Sequence, residues 1–349
     1  MKNKYKVIII GAGPAGLSTA VNLYNNGIKD ILVLEKYKFP RYKCCAGYIT
    51  NKTKEFYEKL GLNIAECHYS LIEDFKIYYK LKAKQKIKNK FLYTNQKINR
   101  VELDNEFYKL AVKKGINILE DTNIINNDLH ENVITISKGK KIYYDYLVFA
   151  DGTYGYGSIY QEKKKKNIAI QKIFKSNRDD GIEIHFGITK KGYAWVSTYN
   201  GITNVGLTDL YDKNINYQET FSKFLKDLSL NDDTKELKGA FTPYGIGKPL
   251  VNDNVYFVGD AVGACDPLTL SGLRYGLRSG EVCAKAIVLN NNKIYVKHLT
   301  VLKMKFNLMK ILMKIFYLKG TLFLIFIIGC KCFSNLISFV FNHFFVNKK

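Results

Sequence analysis

Residues 5–35 read YKVIIIGAGPAGLSTAVNLYNNGIKDILVLE. The stretch opens on a short apolar, β-branched run, Tyr5 to Ile10, the composition of a buried parallel strand. Gly11-Ala12-Gly13-Pro14-Ala15-Gly16 follows at once, and Leu17 to Tyr24 reads as a helix that closes near Gly27. Ile31 to Leu34 is a second strand, with Glu35 at its end. The order is strand, G-x-G-x-x-G, helix, strand, acid. The first glycine makes the tight turn, the second lets a pyrophosphate approach the backbone, and the third lets helix and strand pack closely. The helix N-terminus then faces the phosphates, and Glu35 stands where a carboxylate accepts hydrogen bonds from ribose hydroxyls. With strand, helix and acid all in place, the stretch predicts a bound dinucleotide, NAD or FAD.

Two later segments bear on that choice. Asp145-Tyr-Leu-Val-Phe-Ala-Asp151-Gly152 is another apolar strand running into Asp-Gly. Residues 255–280 read VYFVGDAVGACDPLTLSGLRYGLRSG. Asp260 at the end of this strand suits sugar or ribityl hydroxyls. Gly259, Ala261, Gly263 and Ala264 leave the backbone bare for close approach. Gly272 opens a helix from Leu273 to Ala286, whose N-terminus suits the anionic edge of a reduced flavin.

These motifs carry a family resemblance. GAGPAG with Glu35, the strand with Ala150-Asp151-Gly152, and Val258-Gly-Asp-Ala-Val-Gly263 resemble the three FAD fingerprints of the para-hydroxybenzoate hydroxylase superfamily. Asn99-Arg100-Val-Glu-Leu-Asp104 resembles its R-x-x-F/L-D segment before a helix, here Asn105 to Lys114. The resemblance implies FAD as cofactor. It assigns cofactor contacts to Gly11, Gly13, Ala15, Gly16, Glu35, Lys36, Arg100, Asp151, Gly152, Gly259, Asp260, Gly263, Gly272 and Leu273.

A closer resemblance is to the geranylgeranyl reductases, including the archaeal digeranylgeranylglycerophospholipid reductases. Arg41-Tyr-Lys-Cys-Cys-Ala-Gly47 is similar to their R-x-K-x-C-G-G turn, which places Cys45, Ala46 and Gly47 at the flavin and makes Cys45 the catalytic candidate. Gly192-Tyr193-Ala-Trp195-Val resembles Y-x-W-x-F-P. Asp266-Pro-Leu-Thr269 with Gly272 resembles N-P-L-T-G-x-G-I, and Ser279-Gly280 the S-G that follows. By the same resemblance Tyr193, Trp195 and Pro243 line the substrate. The chain departs from the pattern at Ala46, at Ser197-Thr198 in place of F-P, and at Leu270 in place of a glycine.

The expected architecture is α/β: a Rossmann-like FAD-binding domain with an inserted antiparallel-sheet substrate domain and a C-terminal helical region. Residues 1–68, 99–160 and 249–292 are assigned to the FAD-binding part. Residues 69–98 and 161–248, with aromatic-rich alternating runs, form the substrate sheet, and residues 293–349 the C-terminal helices. Lys163 to Lys166 reads as a solvated loop and His185 as structural. The resemblance implies a reductase that saturates C=C bonds of an isoprenoid or other prenyl-lipid substrate. One Rossmann fingerprint is visible, so the electron donor, NAD(P)H or a ferredoxin-like protein, is left open. The alternatives are an FAD-dependent monooxygenase or halogenase-like enzyme on a hydrophobic substrate, and a non-enzymatic lipid-binding protein on a flavoprotein fold.

Composition bounds the partners. Net charge is +23, and nearly all the excess is lysine, since Arg41, Arg100, Arg178, Arg274 and Arg278 are the only arginines. Such a surface attracts nucleic acid or anionic lipid; without a nucleic-acid motif, lipid is the expectation. Seven cysteines without CxxC pairs argue against a disulfide framework or a metal site and for a reducing compartment. The first apolar segment runs into the glycine turn, so it reads as a strand and not a leader. Near the C-terminus, Lys303, Lys310 and Lys314 share a helix face, and Gly320–Cys330 and Cys332–Asn347 are uncharged runs. These predict interfacial helices on an anionic membrane surface, hence a cytoplasmic protein peripheral to the inner face of the membrane.

Overall fold

The computed structural model describes residues 2–318 apart from 73, 89–91, 96–99, 138, 162–164, 231–235 and 268. The opening stretch forms strand Lys4–Ile10, helix α1 over Pro14–Asn25 and strand Ile31–Leu34. Proline is well placed at the start of α1, where its missing N–H has no intrahelical acceptor to satisfy. The further helices are α2 (Asn51–Leu60), α3 (Val101–Lys113), α4 (Tyr217–Asp227), α5 (Leu273–Val288) and α6 (Asn292–Leu318). α3 begins four residues before the expected Asn105, because Arg100 and Asp104 pair across its first turn.

Five strands lie parallel in the order Val255–Phe257, Lys141–Phe149, Lys4–Ile10, Ile31–Leu34, Asn117–Leu119. Val7 to Ile9 and Leu147 to Phe149 are fully buried, as the unbroken apolar runs require. Ile10 stands beside Phe149 and Leu34, and Phe149 beside Phe257, so four strands end level at one carboxyl edge. α5 packs directly on α1. A Cβ on Gly280 would lie 2.5 Å from the Ala15 carbonyl oxygen, so the glycine of the Ser279-Gly280 pair is a packing residue. Ser279 Oγ accepts from the Gly259 amide at 2.9 Å and ties α5 to the third cofactor segment.

The second sheet has the order Lys238–Pro243, Lys166–Lys175, Ile202–Leu210, Tyr193–Tyr199, Gly181–Phe186, Asp74–Tyr79, Lys82–Lys88. It is antiparallel except where Gly181–Phe186 runs parallel to Asp74–Tyr79, the seam at which strands from two distant parts of the sequence meet. α4 covers one face, with Phe221 and Phe224 against Ala194, Val196, Val205 and Leu207. Strand alternation therefore turns Tyr193, Trp195 and Ser197 to the other face. His185 is fully buried, stacked on Tyr78 at 4.4 Å with Nε2 3.1 Å from Glu183, which is a structural place. Lys166, read as part of a loop, is the first residue of an edge-proximal strand.

α6 begins at Asn292 and is two-sided. Tyr295, Leu299, Leu302, Phe306, Met309 and Met313 are buried against the body. Val301, Met304, Leu308 and Ile311, 48–68% exposed, follow the same three-and-four spacing on the opposite side. Among the described residues no helix is long and apolar enough to cross a membrane. The tail segments 320–330 and 332–347 lie outside the described residues.

Candidate active site

The glycine turn is built so tightly that two of its glycines admit nothing else. Gly11 takes φ +105°, and a Cβ on Gly16 would lie 2.0 Å from the Gly11 carbonyl oxygen. Gly13 is different. A Cβ there would meet only the Arg41 guanidinium, at 3.6 Å. The N-terminus of α1 has no side-chain cap and no acid in its first turn, so it presents positive partial charge to an open space. That cradle fits a pyrophosphate.

Charged side chains line the cradle on one side. Glu35 is 4% exposed and accepts from the Ala12 amide at 2.9 Å and the Tyr37 amide at 3.2 Å. Arg41 lies 3.4 Å from Glu35 and 3.9 Å from Asp104, with its Nε buried and unpartnered among the described residues. Asp104 takes a bidentate grip from Arg100, at 2.7 and 2.9 Å to one nitrogen and 3.2 Å from Nε. Burial opposes the charge on Arg100, but the Asp104 carboxylate outweighs it and raises the guanidinium's pKa. Glu35, Arg41, Asp104 and Arg100 thus form an alternating chain. Arg41 is the residue that motif-based selection missed. It was visible as the first position of the R-x-K-x-C turn, but only the structure lays it over Gly13.

Asp151 and Asp260 stand at the ends of neighbouring parallel strands. Asp151 Oδ2 accepts from the Gly157 amide at 2.8 Å, while Oδ1 is buried without a partner among the described residues. Burial pushes its carboxyl up to about 6, against the Gly157 hydrogen bond and the nearby Lys36 charge. A raised carboxyl pKa penalises the ionised folded state, so the penalty is absent below about pH 4 and complete above about pH 6. Asp151→Asn is expected to stabilise the flavin-free protein by ~3 kcal/mol at pH 7.5, at ~1.4 kcal/mol per pKa unit. The gain should vanish by pH 4. Paired urea titrations at the two pH values measure it, and an equal effect at both would remove the ionisation as its cause. Gly152 adopts φ +80° just beyond.

Asp260 is met by Lys43 Nζ at 3.4 Å, and a Cβ on Gly272 would come within 3.3 Å of its Oδ1. Gly259 (φ +62°) would press a Cβ to 2.6 Å from Ala15, and Gly263 (φ +84°) to 2.1 Å from the Gly245 carbonyl oxygen. These two glycines and Ala15 shape the cradle through packing, and Leu273 packs against the core at the start of α5. Pro243 ends the edge strand just before Gly245. Leu270 holds φ +56°, the left-handed backbone that glycine adopts freely. The chain keeps the loop shape of the glycine-bearing pattern and bears the strain of a side chain there.

Opposite this edge stands the aromatic face of the second sheet. Trp195 lies across Gly206, where a Cβ would be 2.1 Å from its ring, and its Nε1 donates to Asn204 Oδ1 at 3.0 Å. Asn204 Nδ2 reaches the Cys45 carbonyl at 3.4 Å, and Tyr193 OH donates to the Thr269 carbonyl at 2.9 Å. Both loops bearing the reductase-like motifs are thereby tied to this face. Burial raises the pKa of Tyr48, beside Ser197, and of Tyr193, keeping both hydroxyls neutral. Cys44, with its thiol pushed up to about 12 by burial and by Cys45, is held as a thiol. Cys45 and Ala46 are half-buried, and Gly47 is buried with φ +84°. The candidates therefore gather in two sets, the cradle and the aromatic face tied to its neighbouring loops. Among the described residues no His, Cys, Asp and Glu cluster could hold a metal ion.

The FAD binding domain family matches residues 4–160. The protein is an FAD-binding flavoprotein whose relatives are FAD-dependent oxidoreductases. Within that class it is related to the digeranylgeranylglycerophospholipid reductases. The enzyme of that name from Methanococcus vannielii is 28% identical over 330 residues, covering 83% of this chain and 80% of the other. An uncharacterized protein of Methanosarcina barkeri is 29% identical over 296 residues, 81% of this chain and 74% of that one. In fold, a geranylgeranyl bacteriochlorophyll reductase-like protein from Thermoplasma acidophilum aligns with TM-score 0.71 at 18% identity, over 87% of this chain and 84% of that one.

Proposed function

We propose that the protein is an FAD-dependent reductase that saturates C=C bonds of a prenyl-lipid or similarly long apolar substrate. The observation that carries this reading is the aromatic face bearing Tyr193 and Trp195, which hydrogen bonds tie to the loops at Thr269 and Cys45. Bound and reduced, FAD supplies a hydride. An isolated alkene accepts hydride poorly, so the protein must hold it flat, oriented and dry. Trp195 is suited to that, since Gly206 behind it and Asn204 at its edge fix the ring. Cys45 sits where the cradle loop meets the wall and is the proposed catalytic contact. Pro243 shapes the far edge. NAD(P)H or a ferredoxin-like protein is the proposed electron source.

The exposed stripe Val301, Met304, Leu308, Ile311, with exposed Lys297, Lys303 and Lys314 on the same helix, suits an anionic membrane surface at the cytoplasmic side. The test is anaerobic. Chemically reduced protein mixed with a prenyl lipid should be reoxidised and yield the saturated chain. Oxygen-dependent hydroxylation without anaerobic turnover would replace the reading by a monooxygenase, and a protein that takes up lipid but no FAD would leave a binding protein. Full chain that fails to float with anionic liposomes at low salt would remove the membrane contact.

A further inference from the structure

The two faces of the second sheet differ in how their polar groups are met. Under α4 the face is apolar, with Phe221 and Phe224 packed on Val196, Val205 and Leu207. The other face bears Tyr193 and Trp195, and it carries polar side chains that the fold leaves without partners. Asn167 and Thr242 stand directly opposite each other on the strands Lys166–Lys175 and Lys238–Pro243. Asn167 is 3% exposed. Its Nδ2 and the Thr242 hydroxyl are both buried with no hydrogen-bond partner among the described residues. Gln171 lies on the same strand and, four residues on, the same face. Its Nε2 donates to Tyr42 OH at 2.8 Å, while its Oε1 is buried without a partner among the described residues.

The register fixes where the pair lies. Tyr193, Thr208, Ala169 and Ala240 form one row across the sheet. Trp195, Gly206 and Gln171 form the row on one side of it. Asn167 and Thr242 belong to the row on the other side, about 7 Å along the strand from the alanines at ~3.4 Å per residue. The pair therefore borders the row of Tyr193 across a floor of two methyl side chains.

A buried polar group without a partner costs stability, and most in folded proteins are satisfied. Two adjacent ones, an amide and a hydroxyl, are accounted for by a ligand atom that meets both. Neither is charged, and an ionised group brought there would find no countercharge in the pair, which makes its burial costly. An uncharged oxygen can accept from the amide and exchange a hydrogen bond with the hydroxyl.

We propose that Asn167 and Thr242 are a specificity-determining pair that holds an uncharged oxygen of the substrate, a hydroxyl or a carbonyl, beside its apolar chain. This rests on the prenyl-lipid reading above and adds to it that the substrate carries a neutral oxygen function. The pair costs the ligand-free fold stability and returns it when substrate binds.

The experiment is calorimetric titration of the FAD-loaded full chain, in detergent, with geranylgeraniol, with the corresponding aldehyde, and with the hydrocarbon that carries a methyl in place of the oxygen-bearing carbon. At least one oxygenated compound should bind about fivefold tighter than the hydrocarbon, which is ~1 kcal/mol. The tighter of the two tells hydroxyl from carbonyl. Thr242→Val and Asn167→Leu should each shrink that preference and together abolish it, with hydrocarbon affinity and flavin content unchanged. Without ligand, Thr242→Val should keep or raise the urea midpoint, because no hydrogen bond within the fold is lost. A lowered midpoint would show the hydroxyl bonded inside the protein and overturn the pair. Equal binding of all three compounds would overturn the pair and leave the prenyl reading intact. Binding of none would overturn the prenyl reading and the pair with it. A preference that survives the double variant would place the oxygen elsewhere, and flavin lost from the variants would set the pair against the cofactor; either result overturns the assignment.

Discussion

Gly13→Ala is expected to give a folded but colourless protein. The added methyl meets only the Arg41 guanidinium at 3.6 Å, an ordinary contact, and the φ of −72° at this position suits alanine. The flavin-free fold should keep its denaturation midpoint. The same methyl occupies the space that a pyrophosphate needs above the α1 N-terminus. Overpacking of a tight site costs ~1–3 kcal/mol, which is roughly a five- to 150-fold loss of FAD affinity. Gly16→Ala is the control with the opposite signature. Its methyl would sit 2.0 Å from the Gly11 carbonyl oxygen, so strand and helix must part and stability itself should fall. Flavin content after purification and a urea midpoint distinguish the two. A yellow Gly13→Ala protein with full flavin would refute the placement of the cofactor over that glycine.

Arg100→Leu should be the most destabilising single change at the site. Arg100 is 4% exposed and Asp104 1%, and the pair is bidentate. Removing the cation strands a buried carboxylate whose other cationic neighbour among the described residues, Arg41, is 3.9 Å away. Losses of ~3–5 kcal/mol are typical when one partner of such a pair is deleted. Replacing both, Arg100→Leu with Asp104→Leu, should recover much of that, because no unpaired charge is left. Urea denaturation of both flavin-free variants measures the difference. If the double variant were no more stable than the single one, the pair would matter for something other than mutual neutralisation.

Much of this site was legible in the sequence because its physics is local. Gly11, Gly16 and Glu35 occupy a turn whose spacing is set by one strand-helix-strand unit, so their places in it can be read in order. Asp151 and Asp260 were legible for the same reason, each ending an apolar strand. The chain Glu35–Arg41–Asp104–Arg100 was not, because it joins residues more than sixty positions apart and no periodicity records it. The buried stripe of α6 was not legible, since the lysines between its apolar positions obscure a pattern only the packing reveals. Leu270 was read as a departure from the pattern. Its φ of +56° shows the loop kept its shape and accepted strain, which residue identity alone does not disclose.

Trp195 is the only tryptophan in the chain, and it is 5% exposed on the sheet face turned away from α4. Its position has an optical consequence. Ultraviolet emission from the whole protein in the indole band originates at this one ring, whose surroundings are fixed by Gly206 and Asn204. Oxidised flavin absorbs in the range where indole emits, so cofactor loading should dim that emission by energy transfer. The molecule thus carries its own optical donor for a bound flavin, and cofactor loading can be followed without any added label.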